Sequence, residues 1–160
     1  MRKKKTIGPS EFINLAGIEY FHFEEDFIED NVRCIPMIVR FKMDAVGIKL
    51  KLSEWSKFNS QERVELAIRP ISDYQGYLIG LIKKYTKYQP TLIPIDTAPA
   101  WCADEIPSVI QDKSREFKVL ISLEQWNELS DIQRFALVKL CRSGHENKNF
   151  PKALVEFGLS

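Results

Sequence analysis

The chain has 160 residues and a mass of 18.6 kDa, with 44 % hydrophobic and 28 % charged residues and a formal net charge of +1 at pH 7. That balance excludes wholesale disorder, gives no electrostatic signature of nucleic-acid or anionic-membrane binding, and leaves no apolar run long enough for a membrane span. The three cysteines, Cys34, Cys102 and Cys141, form no framework of spacings, so they read as free thiols in a reducing compartment.

Residues 1–16 read as a flexible basic tail and 17–160 as one helical domain, a usual size for a single core. The cluster Arg2-Lys3-Lys4-Lys5 is followed by Ile7-Gly-Pro-Ser-Glu-Phe-Ile-Asn and not by the apolar stretch of a secretory signal, so the cytoplasm is the expected location. From Ile18 to Phe27 an alternating pattern gives way to Phe23 and Phe27 four apart, which predicts an extended lead-in and a short helical turn. Pro36 then suits the start of a helix over Met37–Val46, which Gly47 stops.

A phrase now appears that the chain writes twice. Leu52-Ser-Glu-Trp55-Ser-Lys-Phe58-Asn59-Ser-Gln-Glu62-Arg63 is matched by Leu123-Glu-Gln-Trp126-Asn-Glu-Leu129-Ser130-Asp-Ile-Gln133-Arg134. Each copy predicts a helix, a tight turn and a second helix opened by a reciprocal capping box, Asn59 with Glu62 and Ser130 with Gln133. The first copy spans about Leu50–Arg69 and is closed by Pro70; the second runs over Ser122–Cys141. Trp55 and Trp126 read as core wedges between the paired helices. Helix-turn-helix geometry raises the question of DNA, but the second helix of the first copy opens with Glu62 and Glu65 where phosphate would lie.

Between the copies, Tyr74, Tyr77, Leu78, Leu81, Ile82 and Tyr85 predict an amphipathic helix within Asp73–Tyr88. Gln89–Pro107 carries four prolines, which forbid a long helix or a central strand and mark a surface crossover, pinned by Trp101 and able to hold a short strand pair. Pro107–Phe117 reads as a helix carrying Val109, Ile110 and Phe117. Near the end, Gly144 stops one helix, and Asn147 or Asn149 would cap another through Ala153, Leu154 and Phe157 to Gly158. The fold class is therefore mainly α: a single compact helical domain with two related helix-turn-helix units and a proline-rich crossover loop.

Two stretches have the look of chemistry. Cys34, beside Arg33 and near a helix start, could be a reactive thiolate, although Ile35 and Met37 beside it suit a buried thiol. His145 and Glu146 could act as acid and base, yet neighbouring residues point apart and no nucleophile with an oxyanion site accompanies them. Cys141 and His145 stand four apart as metal ligands can, but two ligands do not complete a zinc site.

Phe23-Glu-Glu-Asp-Phe27, Arg33-Cys-Ile-Pro-Met-Ile-Val-Arg-Phe-Lys-Met-Asp44, Gly47-Ile-Lys-Leu50, Trp55, Gln133-Arg-Phe-Ala-Leu-Val-Lys-Leu140, His145-Glu-Asn147, Asn149-Phe150 and Glu156-Phe-Gly158 together resemble the nitrate reductase-associated protein family, small cytoplasmic proteins best known from cyanobacteria. The resemblance covers most of residues 20–159 and is weaker over Ser72–Ser114. It implies an accessory role in producing active assimilatory nitrate reductase, by assembly or cofactor insertion through protein contact. The partners would be the reductase or its cofactor-assembly proteins, with neither nucleic acid nor membrane involved. No catalytic residue, metal site or cofactor of its own is implied. Arg33, Cys34, Arg40, His145, Glu146, Asn147 and Asn149 are the partner-binding candidates. A small enzyme using Cys34, His145 and Glu146, or a plain interaction module, stays open as the alternative.

Overall fold

A computed structural model of the chain describes residues 18–24, 35–142 and 148–160. The basic tail, the end of the Phe23–Phe27 turn, Arg33, Cys34 and the His145-Glu146-Asn147 block lie outside them. The described residues form eight α-helices and two strands of two residues each, so the chain is mainly helical as the sequence predicts. It divides into two compact units, Met1–Asp96 and Thr97–Ser160, and one copy of the repeated phrase falls in each.

In the first unit, α1 is Met37–Val46. Pro36 precedes it with φ −59° and ψ 151°, an extended residue that cannot itself continue a helix backwards, and Gly47 ends it at φ 74°, the left-handed region that glycine enters without steric cost. The chain leaves Gly47 as β1, Ile48–Lys49, which pairs antiparallel with β2, Thr91–Leu92, in the register Ile48 to Leu92 and Lys49 to Thr91. The proline-rich crossover thus does hold one strand of a short pair. Next come α2, Leu52–Trp55, and α3, Ser60–Ile68, and then α4, Tyr74–Tyr85, whose buried face is Tyr74, Leu78, Leu81 and Ile82. Lys42 on α1 donates to the carbonyls of Ala67 and Arg69 at 2.8 and 2.9 Å, and the Tyr74 hydroxyl donates to that of Leu66. The last carbonyls of α3, which no helical amide can reach, are gathered this way by its two neighbours.

The second unit holds α5, Ser108–Glu116, then α6, Leu123–Glu128, α7, Asp131–Leu140, and α8, Phe150–Glu156. Here α5 buries Ile110, but Val109 and Phe117 stay exposed, so the helix is amphipathic with a narrower apolar face than the sequence suggests. Trp101 does mark where the crossover is tied down, through backbone carbonyls: Arg134 donates to the Trp101 carbonyl at 3.3 Å and the Trp126 indole to that of Ala103 at 3.3 Å.

Both predicted capping boxes form. The Glu62 and Gln133 amides donate to Asn59 Oδ1 and Ser130 Oγ at 2.8 and 3.2 Å, and the Asn59 and Ser130 amides donate back to Glu62 and Gln133 at 2.9 Å each. Ser122 and Gln125 make a further box at the start of α6. Trp55 and Trp126 are both buried, as expected of core wedges. The arginine of each copy completes the turn. Arg63 lies over the Trp55 ring and donates to the Trp55 carbonyl at 3.3 and 3.2 Å; Arg134 does the same at Trp126, at 3.2 and 3.0 Å. One guanidinium therefore caps the first helix of the pair and covers its indole.

The repeat is longer than the phrase that reveals it. The offset carrying Trp55 onto Trp126 also carries Pro36 onto Pro107, each just ahead of a helix with an extended ψ, 151° and 139°. It carries Gly47, at φ 74°, onto Lys118, at φ 63°, which is the positive-φ non-glycine residue of the described chain. Both close their helix alike: the Gly47 amide donates to the Asp44 carbonyl at 3.3 Å and the Lys118 amide to that of Arg115 at 3.0 Å. Each unit is thus built on helix, left-handed turn, extended residues, helix, tight turn, helix.

Candidate functional site

Of the seven candidate residues, the structure describes Arg40 and Asn149, one in each unit. Arg33, Cys34, His145, Glu146 and Asn147 lie outside the described residues. Arg40 is half-buried on α1, and its Nε donates to the Ile35 carbonyl at 2.9 Å, which steadies the residues entering the helix.

The stronger device there is Glu24, which sequence reasoning passed over. Its side chain is fully buried; Oε1 accepts from the Met37 amide at 2.8 Å and Oε2 from the Phe21 amide at 3.3 Å. Met37 is the first residue of α1, where an amide has no helical partner and a negative charge faces the positive end of the helix dipole. Phe21 and Phe23 stack at 5.4 Å beside it. The Phe23-Glu24 block and the Pro36-Met37 block are therefore fastened to each other through one carboxylate.

Asn149 stands at the residue before α8, but its side chain makes no capping bond. Asn149 does not cap because Lys148 and Asn149 form a tight 3₁₀ turn, leaving Asn149 at φ −89° and ψ −11°, whereas a capping side chain needs an extended backbone; Asn147, the other candidate cap, lies outside the described residues. The residue is 3 % exposed and its Oδ1 is buried without a hydrogen-bond partner among the described residues. Phe150 beside it stacks on Phe117 at 6.2 Å.

The thiols in view are poor nucleophiles or simply exposed. Burial pushes the Cys141 thiol up to about 11, against a smaller lowering by Lys113, and its Sγ points to the Val109 carbonyl at 3.7 Å. It is protonated at neutral pH. Cys102 is exposed. Among the described residues no group of three or more His, Cys, Asp and Glu side chains is placed to hold a metal, and no helix is long and apolar enough to cross a membrane.

A charged cluster links α3 and α4. Glu62 Oε2 meets Lys84 Nζ at 2.8 Å, while Oε1 accepts from the Tyr85 hydroxyl at 2.7 Å and from the Asn59 amide at 2.9 Å. Burial by itself would raise the Glu62 pKa, but Lys84, the Asn59 amide and Tyr85 outweigh it and hold the carboxyl below its ordinary value. Both oxygens are occupied, so the cluster is a clamp between helices and not an acid–base pair awaiting substrate. A depressed carboxylate contributes stability that is present above its unfolded pKa and lost as pH falls through its folded value. Glu62→Gln should therefore lower the denaturant midpoint at pH 7 and differ much less from the unaltered chain at about pH 3, below the ordinary carboxylate range. An equal separation at both pH values would contradict this.

A family model described as conserved nitrate reductase-associated protein matches residues 20–157. The chain belongs to that family. The match takes in Glu24, the Pro36 and Gly47 boundaries of α1, both Trp–Arg turns and Asn149, so the nitrate reductase-associated family model extends across both units. No curated protein and no solved structure matches the chain.

Proposed function

We propose that this protein is an accessory factor needed to produce active assimilatory nitrate reductase, and that it works through protein contact, assisting assembly or the insertion of the molybdenum cofactor or iron–sulfur cluster. The observation that carries the reading is the match to the nitrate reductase-associated family across residues 20–157. A net charge of +1 suits a protein partner better than a polyanion. The contact residues are drawn from Arg33, Cys34 and Arg40 in the first unit and from His145, Glu146, Asn147 and Asn149 in the second, types whose guanidinium and amide groups can grip a partner's carboxylates and backbone. Asn149 is enclosed, so of the two described candidates Arg40 is the one a partner can reach. The work takes place in the cytoplasm, on the reductase or on the proteins that load it. The test is genetic: cells lacking the chain should make the reductase polypeptide in an inactive form, and restoring the chain should restore activity. Full reductase activity in the deleted cells would overturn the proposal.

A further inference from the structure

The two units treat one equivalent segment differently. In the first, Gly47 to Lys49 is covered by β2: the Ile93 amide donates to the Gly47 carbonyl at 2.8 Å, and Lys49 lies opposite Thr91. Hydrogen-bonded pairs alternate along an antiparallel ladder, so Lys49 and Thr91 form the next one and exchange both amide bonds. In the second unit the same offset places Lys118 for Gly47 and Leu120 for Lys49. The Ile121 amide and carbonyl are both held by the Gln111 side chain, at 3.0 and 2.9 Å. The Lys118 carbonyl, the Leu120 amide and the Leu120 carbonyl have no partner among the described residues. Leu120 is 69 % exposed and Leu123 53 %.

We infer that Lys118–Leu120 is a docking slot for an extended segment of a partner protein, which adds as an antiparallel strand where β2 lies in the first unit. The occupant's chemistry follows from that internal precedent: a short apolar, β-rich stretch like Thr91-Leu-Ile, with a carboxylate just beyond it. A strand in this register leaves past Lys118, an exposed ammonium that makes no ion pair among the described residues, and so favours an acidic group there. Backbone pairing supplies the attraction and the flanking leucines the selectivity for apolar side chains. The Cβ of Lys118 limits the slot, because the Ile93 carbonyl comes within 2.8 Å of where a Cβ on Gly47 would stand. The partner strand must lift at that residue and pairs fully with Leu120 alone, which makes the interaction short and reversible. The slot shares no residue with the candidates proposed for reductase contact, so its failure would leave the accessory role standing.

The probe is a synthetic peptide with the sequence of residues 88–96, Tyr-Gln-Pro-Thr-Leu-Ile-Pro-Ile-Asp, titrated into the full chain while backbone amide signals are followed. The expected result is saturable shifts centred on Leu120 with slowed exchange of its amide. Binding should fall at least tenfold when the peptide's threonine nitrogen is methylated, and more modestly when its aspartate becomes asparagine. No saturable shift, shifts centred elsewhere, equal binding of the methylated peptide, or self-association of the chain in place of peptide binding would each overturn the proposal.

Discussion

Trp126→Ala should lower the stability of the chain by about 3–5 kcal/mol, the cost typical of removing a buried indole and leaving its cavity. The indole is fully enclosed, yet its Nε1 still donates to the Ala103 carbonyl, so the substitution removes packing and a tether of the crossover together. It also strips Arg134 of the ring it covers while leaving the guanidinium its carbonyl partners. Chemical denaturation followed by circular dichroism is the check. An unchanged midpoint would mean that Trp126 is not the wedge of its helix pair.

Gly47→Ala and Lys118→Gly should move stability in opposite directions although they alter equivalent positions. At Gly47 an alanine Cβ would adopt a left-handed backbone and meet the Ile93 carbonyl at 2.8 Å and Ile95 Cγ1 at 2.9 Å. Left-handed strain of about 1–2 kcal/mol and overpacking of about 1–3 kcal/mol add to a loss of roughly 2–5 kcal/mol, with β2 pushed from β1. Lys118 already carries the strain at φ 63°, and glycine would release it. Part of that gain is offset by the freer unfolded chain, so an increase of about 0.5–1 kcal/mol is expected. Thermal and denaturant midpoints of the two variants decide it; a stabilising Gly47→Ala or a destabilising Lys118→Gly would refute the equivalence of the two turns.

What could be read in the sequence was what is governed by neighbouring residues. The capping boxes at Asn59 and Ser130 are side-chain chemistry within three residues, and Pro36 and Gly47 act on their own backbone, so the ends of α1 are plain in the sequence. The two tryptophans advertised their burial by size and spacing. What stayed hidden depended on distance or on substitution. Glu24 reaches Met37 across thirteen residues, with no local pattern to announce it. Lys118 disguises a left-handed turn that glycine would have marked, so the repeat looked no longer than its Trp–Arg phrase. Arg63 and Arg134 were visible as a recurring letter, while their grip on the preceding carbonyl needed the turn to be folded. Asn149 misled because capping preference assumes an extended residue, and the 3₁₀ turn took that backbone away.

The proposed accessory role is tested most directly by the metal content of the reductase itself. Assimilatory nitrate reductase would be purified from cells with the chain, without it, and with it restored, and its molybdenum and iron measured per polypeptide. The deleted cells should hold normal amounts of polypeptide with depleted molybdenum or iron, returning to full loading on restoration. Fully loaded, active enzyme without the chain would contradict that role.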